Sequence, residues 1–146
     1  LEIIDALYRA SQSGVVIDLI VRGSCMLRPG VPGLSETVRV RSIVGQFLEH
    51  SRIFYFANGG ADDVFIGSAD WMTRNLDRRV EVVTPILDAN LKRYLKDVVL
   101  GAYLRDNVKA RILDGDGLYH AAPKAPGEAS FNSQLHFEGS VVNRES

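Results

Sequence analysis

A polar segment in the middle of the chain carries the residue types that bind phosphate. Residues 67–81 read GSADWMTRNLDRRVE, which is too rich in arginine, glycine and hydroxyl donors to be a buried core. From Arg22 to Arg79 there are eight arginines and no lysine. A guanidinium donates parallel hydrogen bonds to phosphate and keeps its charge when partly desolvated, whereas lysine acts as a point charge. The pattern predicts a local anion site. The competing explanation is that a GC-rich genome favours arginine over lysine throughout the protein.

His50 is the strongest candidate for a catalytic group among the three histidines. If the chain is extended here, His50 and Arg52 point to the same face, which places a titratable ring beside a fixed cation. The alternative is a structural or surface histidine. Three dispersed histidines and one cysteine, Cys25, show no zinc-ligand spacing, so we expect no protein-bound transition metal.

The polar segment also offers supporting groups. Ser68 follows a predicted strand, so its hydroxyl and nearby backbone amides are candidate anion donors, and Asp70 is a candidate partner for an arginine. Arg74 is a further candidate phosphate ligand. Trp71 suits either stacking on a base or packing in the core. Neither a Walker-type loop nor a Rossmann glycine motif occurs, which excludes those nucleotide sites.

The elements around these residues predict an α/β fold. Apolar residues recur at helical spacing up to Ser13-Gly14, and residues 15–21 form an aliphatic run typical of a strand covered on both faces. Ligands of open α/β sheets bind at the carboxyl ends of the strands, and Arg22 follows such an end.

The rest of the chain predicts a mixed sheet flanked by helices. The sequence Asn58-Gly59-Gly60 between two apolar runs indicates a hairpin, and Asp88 is suited to cap a helix that runs to about Arg105. From Ala121 onward, proline, glycine and serine replace any clear periodicity, so we expect an irregular tail. The expected strands cover residues 38–44, 53–56, 64–67, 79–86 and 107–113.

Composition limits the classes of protein that remain. The chain has 146 residues, which fits one globular domain. A formal net charge of -1 disfavours nucleic-acid binding through bulk electrostatics. A single cysteine and the absence of a long apolar run suggest a cytoplasmic protein. Because the chain starts without methionine inside a helical pattern, we expect it to be a piece of a longer protein.

Four stretches together resemble one known family. They are DLIVRG (18–23), RVRSI (39–43) leading into FLEHSRI (47–53), NGG (58–60) and the segment 67–81. In this order they closely resemble the C-terminal catalytic domain of polyphosphate kinases of the phosphohistidine-forming family. The resemblance covers about residues 1–120, and residues 121–146 are expected to be an irregular tail of the same domain. It implies a phospholipase D-like α/β fold, the second of two such domains.

The resemblance also implies an activity and a site. Members of the family transfer the γ-phosphoryl group of ATP reversibly to the end of a polyphosphate chain, with magnesium, through a phosphohistidine. That histidine lies in the preceding domain, so the isolated chain is expected to be inactive. Arg22, His50 and Arg79 match the family's phosphate-binding arginines and second active-site histidine, and Arg52, Ser68 and Arg74 are supporting candidates.

Further expectations concern partners and location. The implied partners are ATP or ADP, inorganic polyphosphate and the preceding domain of the same polypeptide, in a homo-oligomer and without nucleic acid. Magnesium is expected to enter with ATP, with its ligands mainly in the preceding domain. The expected location is the cytoplasm, including the periphery of the inner membrane face.

Two other functions remain open at this point. One is a polyphosphate-binding module without catalysis, and the other is a phosphodiesterase of the phospholipase D type. The chain departs from the phospholipase D motif, since His50-Ser51-Arg52 replaces histidine-x-lysine and no aspartate stands seven residues after His50. These departures disfavour hydrolase chemistry.

Overall fold

The computed structural model describes residues 2–142, except for the side chains at positions 73, 74, 76, 141 and 142. The chain divides into two compact units. The first unit comprises Leu1–Glu49 and Tyr103–Ser146, and the second comprises His50–Ala102. None of the described helices is long and apolar enough to cross a membrane.

The first unit is built on a four-stranded mixed sheet. Its strand order is β1 (Ile17–Ile20), β2 (Val38–Ile43), β6 (Ala110–Leu113) and β7 (Tyr119–Ala121). The β1–β2 pair is parallel and the other two pairs are antiparallel, so the predicted mixed sheet is confirmed.

A helix covers one face of this sheet. Helix α1 (Glu2–Gln12) ends where the sequence predicts, because Gly14 adopts a φ of 84° and its amide returns to the carbonyl of Ser11 at 2.8 Å. The apolar side of α1 packs on a core of Leu27, Val38, Val40 and Leu113, joined by Ile4, Leu7, Tyr8, Ile17, Leu19, Val21 and Cys25.

The prediction that β1 is covered on both faces is wrong, because Asp18 on its outer face is exposed. Its flanking residues Val15 and Val16 are 51% and 65% exposed. Asp18 points away from the core and pairs with Arg39, its register partner on β2, at 2.8 Å. The aliphatic run 15–21 therefore consists of two exposed valines before the strand and a strand with one apolar face.

The carboxyl-terminal part of the first unit differs from the expected irregular tail. Strand β7 forms a hairpin with β6, and helix α5 spans Ser133–Val142. Asn132 caps α5 by accepting the amides of Gln134 at 3.1 Å and Leu135 at 3.3 Å. The prediction of an irregular tail over residues 121–146 is therefore wrong for α5, whereas β7 reaches that range only at Ala121.

A buried carboxylate joins three elements of the first unit. Asp106, 2% exposed, follows α4 (Gly101–Arg105) and accepts the amides of Val108, Lys109 and Ala110, the last at the start of β6. Its other oxygen accepts the amide and hydroxyl of Ser133 at 2.8 and 2.7 Å. Burial alone would raise the pKa of Asp106, but these hydrogen bonds lower it. The amides of Val108 and Lys109 donate to Asp106 and not to a neighbouring strand. Strand β6 therefore begins at Ala110 and not at the predicted residue 107.

The second unit contains an antiparallel sheet of β3 (Ile53–Phe56), β4 (Asp63–Gly67) and β5 (Val83–Pro85). The predicted hairpin is confirmed. Its turn contains three consecutive residues with positive φ, namely Asn58 at 41°, Gly59 at 62° and Gly60 at 99°. Asparagine and glycine tolerate this conformation best, which explains the sequence of the turn.

Strand β5 is shorter than the predicted strand 79–86. Gly67, the last residue of β4, pairs with Val83, so residues 79–82 lie beyond the end of their neighbour. Helix α2 (Thr73–Arg78) immediately precedes them. The predicted strand is therefore correct only for Val83–Pro85, which pair with β4.

A helical run follows β5. It consists of α3 (Ala89–Arg93), a π-helical stretch (Tyr94–Leu100) and α4, and the boundary between the units falls within α4. Asp88 accepts the Leu91 amide at 2.8 Å, which confirms the predicted cap. Lys96 binds Asp62 at 2.8 Å and attaches this helix to the β3–β4 hairpin.

Candidate functional site

Arg22 lies at the carboxyl edge of the first unit's sheet. The parallel strands β1 and β2 end at the same edge, and the pairing continues through the Val21 amide, which donates to the Arg41 carbonyl at 2.8 Å. Arg22 follows directly and is partly buried. Its Nη1 donates to the backbone carbonyl of Glu49 at 2.8 Å, in the segment that follows β2. The guanidinium is therefore oriented by backbone at the edge where α/β sheets bind ligands.

The segment after β2 is itself held by the first unit. Glu49 accepts hydrogen bonds from the Tyr103 hydroxyl at 2.6 Å and from the Gln134 amide at 2.8 Å. Sequence reasoning missed Tyr103 and Gln134 because they lie 54 and 85 residues from Glu49. No sequence motif marks such distant pairings.

His50 begins the second unit, and its side chain is exposed. Its carbonyl accepts a hydrogen bond from Nη1 of Arg52 at 2.6 Å. Both residues precede β3, so the strand alternation expected to place them on one face does not apply. The structure joins them through the backbone oxygen of His50, which leaves the imidazole to solvent.

Arg52 is paired with a carboxylate of the polar segment. Its Nε and Nη2 each lie 3.1 Å from the same oxygen of Asp70, and the two side chains are 22% and 23% exposed. The prediction that Asp70 orients an arginine is confirmed. A phosphate bound by Arg52 would use the donors that Asp70 and His50 leave.

Ser68 makes three contacts inside the second unit. Its amide donates to the Val82 carbonyl at 3.0 Å, its hydroxyl donates to the Glu81 carboxylate, and that hydroxyl accepts the Val82 amide at 3.0 Å. These contacts fix residues 81–82 beside the end of β4. A phosphate contact of Ser68 stays a prediction and would have to replace one of them.

Arg79 follows α2 in an extended conformation, with φ of -131° and ψ of 155°. Its side chain is exposed and makes no hydrogen bond or ion pair among the described residues of the second unit. The nearby carboxylate of Glu81 accepts a hydrogen bond from the Ser68 hydroxyl. The guanidinium of Arg79 therefore retains its donors for a ligand. The side chain of Arg74 lies outside the described residues.

Trp71 packs on a neighbouring aromatic ring and remains partly exposed, and stacking on a base stays a prediction. Its ring stacks on Phe54 with centroids 5.1 Å apart and planes 2° from parallel, while the residue remains 44% exposed. The side chain anchors the polar segment on β3 and still presents surface to solvent.

A cavity of about 620 Å³ in the first unit does not contain the predicted site residues. Its charged lining is already engaged, since Arg39 pairs with Asp18 and Arg105 stacks on Phe131 at 4.7 Å. Arg41 donates to the carbonyls of Tyr103 and Leu104, and burial lowers its pKa. A ligand would have to compete with each of these contacts, so the cavity is a poor candidate for the anion site.

No group of three or more histidine, cysteine, aspartate or glutamate side chains that could hold a metal ion occurs within the described part of the chain. Each unit therefore contributes its own candidate groups for anionic oxygens, and each set is described within its unit. Arg22 stands in the first unit and His50, Arg52, Ser68 and Arg79 in the second.

Comparison with known proteins identifies the family of this chain. The family model described as polyphosphate kinase C-terminal domain 2 matches residues 1–134. Polyphosphate kinase of Thermosynechococcus vestitus is 59% identical over 128 residues, which is 88% of this chain and 17% of that protein. Polyphosphate kinase of Synechocystis is 54% identical over 141 residues, which is 97% of this chain and 19% of that protein.

A solved structure matches over nearly the whole chain. The crystal structure of polyphosphate kinase from Porphyromonas gingivalis superposes with a TM-score of 0.90 at 44% identity, covering 99% of this chain and 22% of that one. The fold is therefore the phospholipase D-like α/β fold. The chain belongs to the polyphosphate kinase family, as its C-terminal domain 2. It spans about a fifth of the length of these relatives.

Proposed function

We propose that this chain supplies an ATP- and polyphosphate-binding part of an ATP:polyphosphate phosphotransferase, which moves the γ-phosphoryl group of ATP reversibly to the end of a polyphosphate chain. Family membership supports the reaction class. The observation that carries the proposal for this chain is the orientation of Arg22 by the Glu49 carbonyl at the carboxyl edge of β1 and β2.

The proposed roles follow from the chemistry of phosphoryl transfer, which requires positioning and stabilisation of spread negative charge. Arg22 and Arg79 hold phosphate oxygens through charge-assisted hydrogen bonds. His50, whose ring is exposed, contacts the transferring phosphate as a hydrogen-bond donor or proton carrier. Magnesium enters with ATP and shields phosphate charge, and its ligands are proposed to lie mainly in the preceding domain.

The nucleophilic histidine is proposed to lie in that preceding domain of the same polypeptide. The isolated chain is accordingly proposed to bind without turnover. The full-length protein is proposed to be a cytoplasmic homo-oligomer. The phosphodiesterase alternative is disfavoured because Arg52, which stands where the phospholipase D motif has lysine, is paired with Asp70.

A hybrid enzyme tests this proposal. This chain replaces the matching 128-residue segment of the Thermosynechococcus vestitus protein, and ATP formation from ADP and polyphosphate is measured. We expect the hybrid to be active, the isolated chain to be inactive and the hybrid with His50→Ala to lose most activity. Arg9→Ala, an exposed arginine of α1, is the matched charge control and should retain activity.

The outcomes separate the candidate functions. A folded hybrid that binds polyphosphate but makes no ATP would contradict the phosphotransferase role and favour the binding module. Hydrolysis of a synthetic phosphodiester by the isolated chain would favour the phosphodiesterase function.

A further inference from the structure

The segment between β2 and the second unit has little packing of its own. Residues 44–49 form neither helix nor strand. Val44, Phe47 and Leu48 are 56%, 50% and 65% exposed. Apolar burial therefore does not fix the path of this segment, although its last residue, Glu49, supplies the carbonyl that orients Arg22.

Gln134 of α5 holds the segment at three points. Its Oε1 accepts the Phe47 amide at 3.1 Å, and its Nε2 donates to the Phe47 carbonyl at 2.7 Å. The same Nε2 donates to Oε1 of Glu49 at 2.8 Å. Gln134 is 6% exposed, so losing these partners would leave a buried amide unsatisfied.

Tyr103 of α4 holds the other oxygen of the same carboxylate. Its hydroxyl donates to Oε2 of Glu49 at 2.6 Å, and its ring packs against Phe137 with centroids 5.4 Å apart. Burial, and then the hydrogen bond to Glu49, raises the pKa of Tyr103, so the phenol stays protonated as a donor. Both Glu49 oxygens are thus tied to buried side chains on separate helices.

Gly45 makes room for this arrangement. A Cβ at position 45 would overlap Oε1 of Gln134 and lie 2.6 Å from its Cδ. The glycine lets the segment approach the glutamine closely enough for the contacts at Phe47 and Glu49.

We propose that Gln134 and Tyr103 are positioning residues for phosphate binding, because they clamp Glu49 and thereby aim the guanidinium of Arg22. This positioning role rests on the proposed function, which supplies the ligand, inorganic polyphosphate. In this proposal both residues act only through Glu49 and Arg22. Gln134→Ala and Tyr103→Phe should each weaken polyphosphate binding about three- to tenfold, the effect of losing about one to two net hydrogen bonds.

A double-mutant cycle separates positioning from a general structural role. Polyphosphate affinity is measured for Gln134→Ala and Tyr103→Phe, each in the native and the Arg22→Ala background. We expect the effect of either substitution to vanish once Arg22 is gone. Gln46→Ala, an exposed glutamine of the same segment, is the matched control and should bind normally. An equal loss in both backgrounds would overturn the proposal.

A ligand-free measurement keeps this test independent of the proposed function. The guanidinium signals of Arg22 are recorded by nitrogen-15 NMR, with assignment by Arg22→Lys. Slow rotation of the Arg22 Nη groups in the native chain and in Gln46→Ala, and faster rotation in Gln134→Ala and Tyr103→Phe, are expected. Unchanged rotation in both variants would refute the clamp, whether or not polyphosphate binds. Absent binding by a folded native chain would instead count against the proposed function.

Discussion

Replacing Gly45 by alanine tests the clamp through stability. The backbone at Gly45 lies outside the left-handed region, so alanine is conformationally acceptable there. The new Cβ would overlap the end of the Gln134 side chain, which can move only by giving up its hydrogen bonds to Phe47 and Glu49. The cost is therefore set by the hydrogen bonds lost and not by the overlap itself.

The size of the effect follows from those contacts. Losing Gln134's hydrogen bonds at about 1 kcal/mol each costs about 3 kcal/mol. The lower entropy of the unfolded chain with alanine returns about 0.5 to 1 kcal/mol. Gly45→Ala should thus lower the free energy of unfolding by about 2 kcal/mol. In the Gln134→Ala background the overlapping atoms are absent, so Gly45→Ala should be neutral or slightly stabilising.

Urea denaturation followed by far-ultraviolet circular dichroism measures this coupling. Gly139→Ala is the matched control, because Gly139 lies in α5 and a Cβ at this position would have no neighbour within 4 Å. Alanine there should stabilise the helix by up to about 1 kcal/mol. The reasoning is refuted if Gly45→Ala costs the same with and without the Gln134 side chain, or costs nothing in the native background.

The remaining predictions concern charge, pH and capping. Arg22→Lys should weaken polyphosphate binding measured by calorimetry, because the charge stays but the planar fork is lost, and equal affinity would contradict a bidentate contact. The lowered pKa of Asp106 means that its stabilisation is present above its ordinary value of 3.8 and is lost as pH falls through the folded value. Asp106→Asn should therefore cost about 2 kcal/mol at neutral pH by opposing the Ser133 amide, and should flatten the acid limb of a stability profile; an unchanged limb would count against this assignment. Asp88→Ala should cost about 1 kcal/mol in urea denaturation through loss of the cap on Leu91, and a cost near zero would contradict the cap.

Local sequence patterns predicted the parts of the fold that depend on local chemistry. The stop at Gly14, the turn at Asn58-Gly59-Gly60 and the cap at Asp88 each follow from a backbone preference or a short-range hydrogen bond. The fold class followed from the resemblance and from the mixture of apolar runs and helical patterns, and it is confirmed.

The errors arise where distant residues decide the structure. Strand β5 is short because β4 ends opposite Val83, which the sequence of β5 does not encode. Helix α5 was missed because its start depends on Asn132 and on Asp106, 27 residues away from Ser133. The clamp on Glu49 was missed for the same reason, since a glutamine in a region without periodicity carries no signal of its partner.

In the candidate site, too, the sequence predicted residue types but not their partners. Residue type and position singled out Arg22 and Arg79, but only the structure shows that Arg22 is oriented by the Glu49 carbonyl and that Arg79 is exposed. It also shows that Arg52 and Ser68 have partners within the second unit. Side-chain partners of this kind depend on folded geometry and cannot be predicted from composition.

The central claim is that Arg22 belongs to a phosphate-binding site, and calorimetric titration with long-chain polyphosphate and with magnesium ATP tests it most directly. The native chain, Arg22→Ala and the control Arg9→Ala are compared after each is shown to be folded. We predict that the native chain and Arg9→Ala bind alike and that Arg22→Ala binds about tenfold more weakly or worse, from the loss of roughly 1.5 to 3 kcal/mol. Equal affinity of the native chain and Arg22→Ala would contradict the account.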